Sequence, residues 1–275
     1  MALNEATLQQ MTDIADYMSA TGVPVNRDQL EGLIADRMRL KSEEQREKSI
    51  AKFKIYLDRL RQIRTAGSSE VQWSFHPHWR VRDPYWVCSD PPLFSFPSGL
   101  FKAVPESVHV FLYQVNQFLA AVYSQNEEAL TVYRDGGDLT SHYAQCLGLP
   151  RTSSKVIFYQ FLFGRNEELA RFQATMPWLV EIRNLYAEKR ASGERITTWF
   201  GTDVSATIPP LGVLGSIFQK TVLDLTREAI LQASTDGYIP HVILPDSVVG
   251  PPGIEESFQK TLSGYYGLRS AVEFT

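Results

Sequence analysis

Cysteine is nearly absent from this chain: Cys88 and Cys146 are the only two. They form no C-x-x-C spacing, which predicts reduced thiols and no disulfide framework. A surplus of positive charge is missing too, since 27 Lys and Arg face 31 Asp and Glu for a formal net charge of −4. That balance disfavours a surface that neutralises phosphates throughout. No apolar run is long enough to span a bilayer, and the N-terminus carries no signal-peptide pattern, so the expectation is a soluble, intracellular protein with no membrane partner. Acids are missing locally as well: none lies between Glu106 and Glu127. What is present is apolar and aromatic. Hydrophobic residues make up 44% and aromatics 12% of 275 residues, enough for one large or two small ordered domains with a substantial core.

The charge is unevenly spread. Arg37, Arg39, Lys41, Arg46, Lys48, Lys52, Lys54, Arg59, Arg61 and Arg64 make residues 36–65 locally basic. This stretch reads as a solvated helix face or as a surface that tracks phosphates, with Lys52 and Lys54 as candidate contacts. The second stretch of interest is Arg151–Gly164, RTSSKVIFYQFLFG, a predicted helix in which Arg151, Lys155, Tyr159 and Phe163 recur every fourth residue along one stripe. Two cations in its first turns oppose the helix dipole. A fork-shaped guanidinium, an ammonium one turn on and an aromatic beyond them suit a triphosphate with a stacked base. An amphipathic helix with two snorkelling cations has the same spacing.

Around these stretches the periodicities predict helices at 5–21, from about 27 through the basic segment to about Gln62, at 127–134, 139–147, 151–164, 166–174, 177–191, 213–232 and 254–263. Strands are predicted at Val71–Phe75, from Val108, through YIPHVILPDSVVG and at the C-terminus, with a hairpin in ERITTWFGTDVSATI. His76 with His78, and His142 with Cys146, have the spacing of partial metal sites but lack a second pair, and read as structural. Trp79, Tyr85, Trp86 and Phe94 read either as ordinary packing or as an exposed aromatic face for a protein partner.

RxxxKxxxYxxxFG resembles the O-helix motif of family A DNA polymerases, and flanking segments match in order over nearly the whole chain. The resemblance begins in ADYMSATGVPVNRDQLEGL, which implies no proofreading exonuclease domain. SDPPLFSFP resembles S-D-P-N-L-Q-N-I-P, with the polar reading positions changed to Pro92, Phe94 and Ser95. AAVYSQNEEALTVYRDGGDLTSHYA aligns without gaps with the segment that follows motif A. That register puts Phe111 where the metal-binding Asp belongs, Gln114 on the family Gln and Asn116 on the Glu that excludes ribonucleotides. Asp138 is kept, and the family His nearby is Thr140. The arginines of G-Y-V-x-T-x-x-G-R-R-R become Thr202, Asp203 and Val204. In VLGSIFQKTVLDLTREAILQ, Gln219, Thr221 and Asp224 agree, and the family Asn is Gly215. Motif C supplies Asp246, flanked by Pro245 and Ser247 where the family has His and Glu.

The resemblance implies an α+β right-hand polymerase fold with an antiparallel palm sheet, helical fingers and a reduced helical thumb. It divides the chain into 1–66 (reduced thumb leading into the palm), 67–125 (palm), 126–199 (fingers) and 200–275 (palm again). It implies nucleotide contacts at Arg151, Lys155 and Tyr159, and nucleic-acid contacts at Gln219, Gln114, Lys52 and Lys54. Nucleotidyl transfer uses two divalent ions about 3.5–4 Å apart, held by hard oxygen ligands. Asp246 alone remains, so the implication is no required cofactor and at most one weakly held magnesium ion. Three readings follow: a non-catalytic nucleic-acid-binding or scaffolding subunit of replication, a divergent DNA polymerase or primase-like enzyme, and a pure protein-interaction module. DNA (primer–template or single strand) and another replication protein are the expected partners, in the cytoplasm of a bacterial or phage-infected cell.

Overall fold

The computed structural model describes residues 3–39, 41–64, 71–82, 84–89, 93, 98–265 and 267–274. In chain order the elements are α1 (Glu5–Thr21), β1 (Val23–Val25), α2 (Arg27–Arg39), α3 (Glu43–Leu57), β2 (Arg61–Arg64), β3 (Val71–Phe75), β4 (His78–Arg82), β5 (Tyr85–Ser89), β6 (Val108–Leu112), α4 (Val115–Tyr123), α5 (Glu127–Arg134), α6 (Leu139–Leu147), α7 (Arg151–Leu162), α8 (Leu169–Thr175), α9 (Pro177–Ala191), α10 (Val213–Thr235), β7 (Val242–Leu244), β8 (Ser247–Gly250), α11 (Ile254–Ser263) and β9 (Ser270–Phe274). They divide into two compact units.

One unit holds the residues up to Phe111, Thr226–Thr261 and the segment from Ser270 onward. Its α1 begins where the Asn4 side chain accepts the Thr7 N–H at 2.8 Å. Met11, Ile14, Ala15 and Met18 form the buried stripe. Gly22 ends the helix at φ +72°, and a β-carbon there would meet the Phe75 carbonyl at 2.7 Å. The basic segment does not run as one helix. It breaks into α2 and α3, with Arg46 donating to the Met38 and Arg39 carbonyls that close α2. Residues 61–64 then pair as a strand with β3, because an extended partner is available there and satisfies the backbone. The strands order as β1-β3-β2, β4-β5 and β7-β8-β6-β9. In the last sheet β8 pairs antiparallel with both β7 and β6.

Trp79 and Trp86 are buried, at 1% and 5% exposure, and the Trp86 indole donates to the Met11 carbonyl at 2.9 Å. Both belong to the core, which removes them from any exposed aromatic face. Tyr85 is half-buried, and Phe94 lies outside the described residues, as do Asp90, Pro91 and Pro92.

The other unit, Leu112–Leu225 with Leu262–Arg269, is almost entirely helical. Its core gathers Phe118, Tyr133, Tyr143, Phe158, Phe161 and Phe172. The predicted hairpin near residue 200 is reduced to one bridge, Thr197 with Asp203. The turn is held from inside, where the buried Asp224 carboxylate accepts the Thr198 hydroxyl at 2.6 Å and the Thr202 hydroxyl at 3.0 Å. A short polar clamp replaces the strand ladder.

Candidate nucleotide and nucleic-acid sites

In the helical unit, α7 presents two faces. Ser154, Phe158, Phe161 and Leu162 are buried, and the Phe161 ring is sandwiched between Phe172 (centroids 4.1 Å) and the Arg183 guanidinium (3.7 Å). Arg151 and Lys155 lie on the exposed face, with Tyr159 half-buried one turn on. Arg151 is tied back to Asp138, its Nε donating at 3.0 Å and a terminal nitrogen lying 2.9 Å away. Asp138 caps α6 by accepting the Ser141 N–H at 2.8 Å. Partial burial would raise its pKa, but the Ser141 N–H, the Arg151 guanidinium and the Gln114 amide outweigh that and hold it below the ordinary carboxylate value. Lys155 has no ion pair among the described residues, so its charge is available to a ligand.

Asn116 and Tyr159, 43 residues apart, meet: the Asn116 amide donates to the Tyr159 hydroxyl at 3.1 Å. The resemblance puts these two at the ribose-excluding and base-facing positions. Gln114 stands at φ +51°, and its carbonyl accepts the Leu139 N–H at 2.6 Å; its contacts lie within the fold, at the start of α6. Gln219 is exposed on α10. Gly215, in the place of the family Asn, lies against Phe163, whose ring atoms would be 2.7 Å from any β-carbon added there.

In the sheet-bearing unit, Asp246 sits exposed in the turn between β7 and β8. Phe111 is directly opposite Ser247 in the β6–β8 ladder. Both line a cleft of about 490 Å³ that also takes in Arg37, Lys102, His109, Asp246 and Glu273. His109 is 7% exposed, lies 3.1 Å from the Ser247 hydroxyl through Nε2 and touches the Phe101 and Phe111 rings edge-on. Burial lowers its pKa, assisted by Lys102 and partly offset by Glu273 and Asp246. Nothing in the sequence singles out Lys102, and Arg37 stands there only as one cation of the basic stretch. An acid in an otherwise apolar terminal strand is the one signal that marks Glu273. Lys54 is exposed on α3, where Lys52 also lies.

The paired magnesium ions of nucleotidyl transfer do not fit these residues. Phe111 contributes no ligand, Glu273 is engaged by Lys102 at 3.7 Å, and among the described residues no three His, Cys, Asp or Glu side chains are grouped to hold a metal ion. His142 and Cys146 likewise form no such group.

An antiparallel sheet with an aspartate in its β7–β8 turn, together with a helical unit built on α7, gives an α+β right-hand polymerase fold with palm and fingers. Among solved structures with this fold is the POL domain of Pol1 from M. smegmatis in complex with DNA primer-template and dNTP. The match has a TM-score of 0.72 at 10% identity and covers 96% of this chain and 68% of that one. At that identity the likeness is one of fold. No protein-family model matches the sequence, and no curated protein matches it. Among the described residues no helix is long and apolar enough to cross a membrane.

Proposed function

We propose that this chain is a non-catalytic, family A polymerase-like protein that binds nucleic acid or serves as a scaffolding subunit in DNA replication. The observation that carries this reading is Phe111, opposite Ser247 in the palm sheet, where the resemblance requires the second metal-binding carboxylate. One exposed aspartate can attract an ion, but in-line displacement needs a pair clamping the attacking and leaving oxygens. Arg151, Lys155 and Tyr159 retain the chemistry of a nucleotide-binding stripe, and the comparison structure holds both primer-template and dNTP. Exposed Lys54 and the neighbouring cations of α2 and α3 would supply phosphate contacts, with a second replication protein as partner.

Primer extension with magnesium and with manganese, beside a gel shift on the same sample, tests the reading. The expected result is a shift that weakens steeply with salt and no extension. Extension abolished by Asp246→Ala would overturn it.

A divergent active polymerase is the second reading, favoured by one observation: Glu273 lines the same cleft as Asp246. It requires Glu273 to leave Lys102 and act as the missing ligand. Extension lost in both Asp246→Ala and Glu273→Gln would establish it; extension surviving Glu273→Gln would remove Glu273 as the second ligand, and no extension with either metal would remove the reading.

A further inference from the structure

On the reading of the palm as lacking a metal pair, we propose that the cleft beside Asp246 binds a nucleoside phosphate directly, without a divalent ion. Three kinds of group converge there. Arg37 from α2 and Lys102 from the 3-10 helix Ser98–Ala103 supply two cations from separate elements. Phe111 is half-buried and supplies an aromatic wall, steadied by the buried His109 ring at 5.7 Å. Ser247, Asp246 and Glu273 supply a hydroxyl and two carboxylate acceptors.

An anionic head, a hydroxylated middle and a flat ring are the matching features of a nucleoside phosphate. Its phosphate goes to Arg37 and Lys102, its sugar hydroxyls donate to the carboxylates, and its base lies against Phe111. The volume of about 490 Å³ falls within the ordinary range of small-molecule sites. Arg37 has no ion pair among the described residues. Among the described residues Lys102 pairs with Glu273 at 3.7 Å, both side chains about half exposed, a contact of little strength that a phosphate can displace. The site uses the phenyl ring in place of a metal ligand.

Calorimetric titration of the full chain with AMP in EDTA tests this. AMP should bind at least about tenfold more tightly than adenosine, and Arg37→Gln and Lys102→Gln should each weaken it by about tenfold. Phe111→Leu, which keeps apolar volume but removes the ring, should weaken AMP and adenosine together. Circular dichroism of each variant should match the parent.

A single-stranded oligonucleotide ending in a 3′-phosphate distinguishes the source. Competition with AMP assigns the cleft to a strand end, and failure to compete assigns it to the free nucleotide. No AMP binding up to about 10 mM, equal binding of adenosine, or binding that appears only with magnesium each overturns the proposal. If AMP fails to bind while the salt-dependent gel shift persists, the cleft is refuted and the nucleic-acid reading stands.

Discussion

Arg183 is 1% exposed, and its guanidinium has no carboxylate partner among the described residues. It donates to the Phe161 carbonyl at 3.2 Å, the Arg165 carbonyl at 3.3 Å and the Asn166 side chain at 2.8 Å. The Phe161 carbonyl, in the last turn of α7, also accepts the Gly164 N–H at 3.1 Å, and the helix dipole favours a cation at this end. Arg183→Leu would remove three hydrogen bonds from a charged donor and its contact with the Phe161 ring, at a cost of about 1–3 kcal/mol, read as a lower midpoint in urea; an unchanged midpoint would refute this role. Asp138 offers the opposite case, a residue that on the proposed reading restrains nucleotide binding. Its carboxylate occupies Arg151, so a triphosphate arriving at α7 must displace it. Asp138→Asn keeps an equally good helix cap and releases the guanidinium. Triphosphate affinity should then rise by a few-fold, measured by equilibrium dialysis with ATP or dATP. A fall in affinity would mean that the carboxylate positions Arg151 productively instead of competing for it.

Gly215 shows how one element accommodates another. A β-carbon there would meet the Phe163 ring at 2.7 Å and, less avoidably, the Leu162 carbonyl at 2.8 Å. Gly215→Asn should therefore destabilise the helical unit by about 1–3 kcal/mol even though asparagine is what the family motif has at this position. Thermal melting measures it, and a neutral result would show that Phe163 swings clear. Helices α5 and α6 of this unit were legible because they carry their own punctuation: Asn126 and Asp138 as caps, and Gly148 as a left-handed stop. The basic segment was less so. Its helical composition hides the break before Ser42, and the pairing of Arg61–Arg64 with Val71–Ser74 depends on a partner that local periodicity does not contain. The same limit applies to the sites. The stripe of α7 can be read from spacing, whereas the Asn116–Tyr159 contact joins residues 43 apart that no local pattern pairs. The grouping of Arg37, Lys102, His109 and Glu273 around Phe111 comes from four separate elements and exists only after the sheet has closed.

Across the whole molecule, five histidines are few, yet in three of them, all in the sheet-bearing unit, burial disfavours the charged ring. The pKa values of His76, His109 and His241 all lie below the ordinary 6.5, and burial is the leading cause in each. The native state therefore binds fewer protons than the unfolded chain as pH falls through 6.5, and stability rises with pH in that window. Their contribution is fully present above 6.5 and is lost progressively as the pH drops toward the depressed native values. The carboxylates of Asp138, Asp203 and Asp236 have pKa values held below 3.8, so their stabilisation is lost only in stronger acid and does not mask the histidine window. The melting midpoint should accordingly fall between about pH 7 and about pH 5, with the slope reduced in His109→Gln, which cannot take up a proton at that position. Because the cleft proposed to hold a nucleoside phosphate is built around His109, saturating AMP should also raise the melting midpoint by mass action. A midpoint flat from neutral to mildly acidic pH in the parent would mean that these rings protonate without disturbing their packing. A slope unchanged by His109→Gln would place the acid sensitivity elsewhere in the sheet.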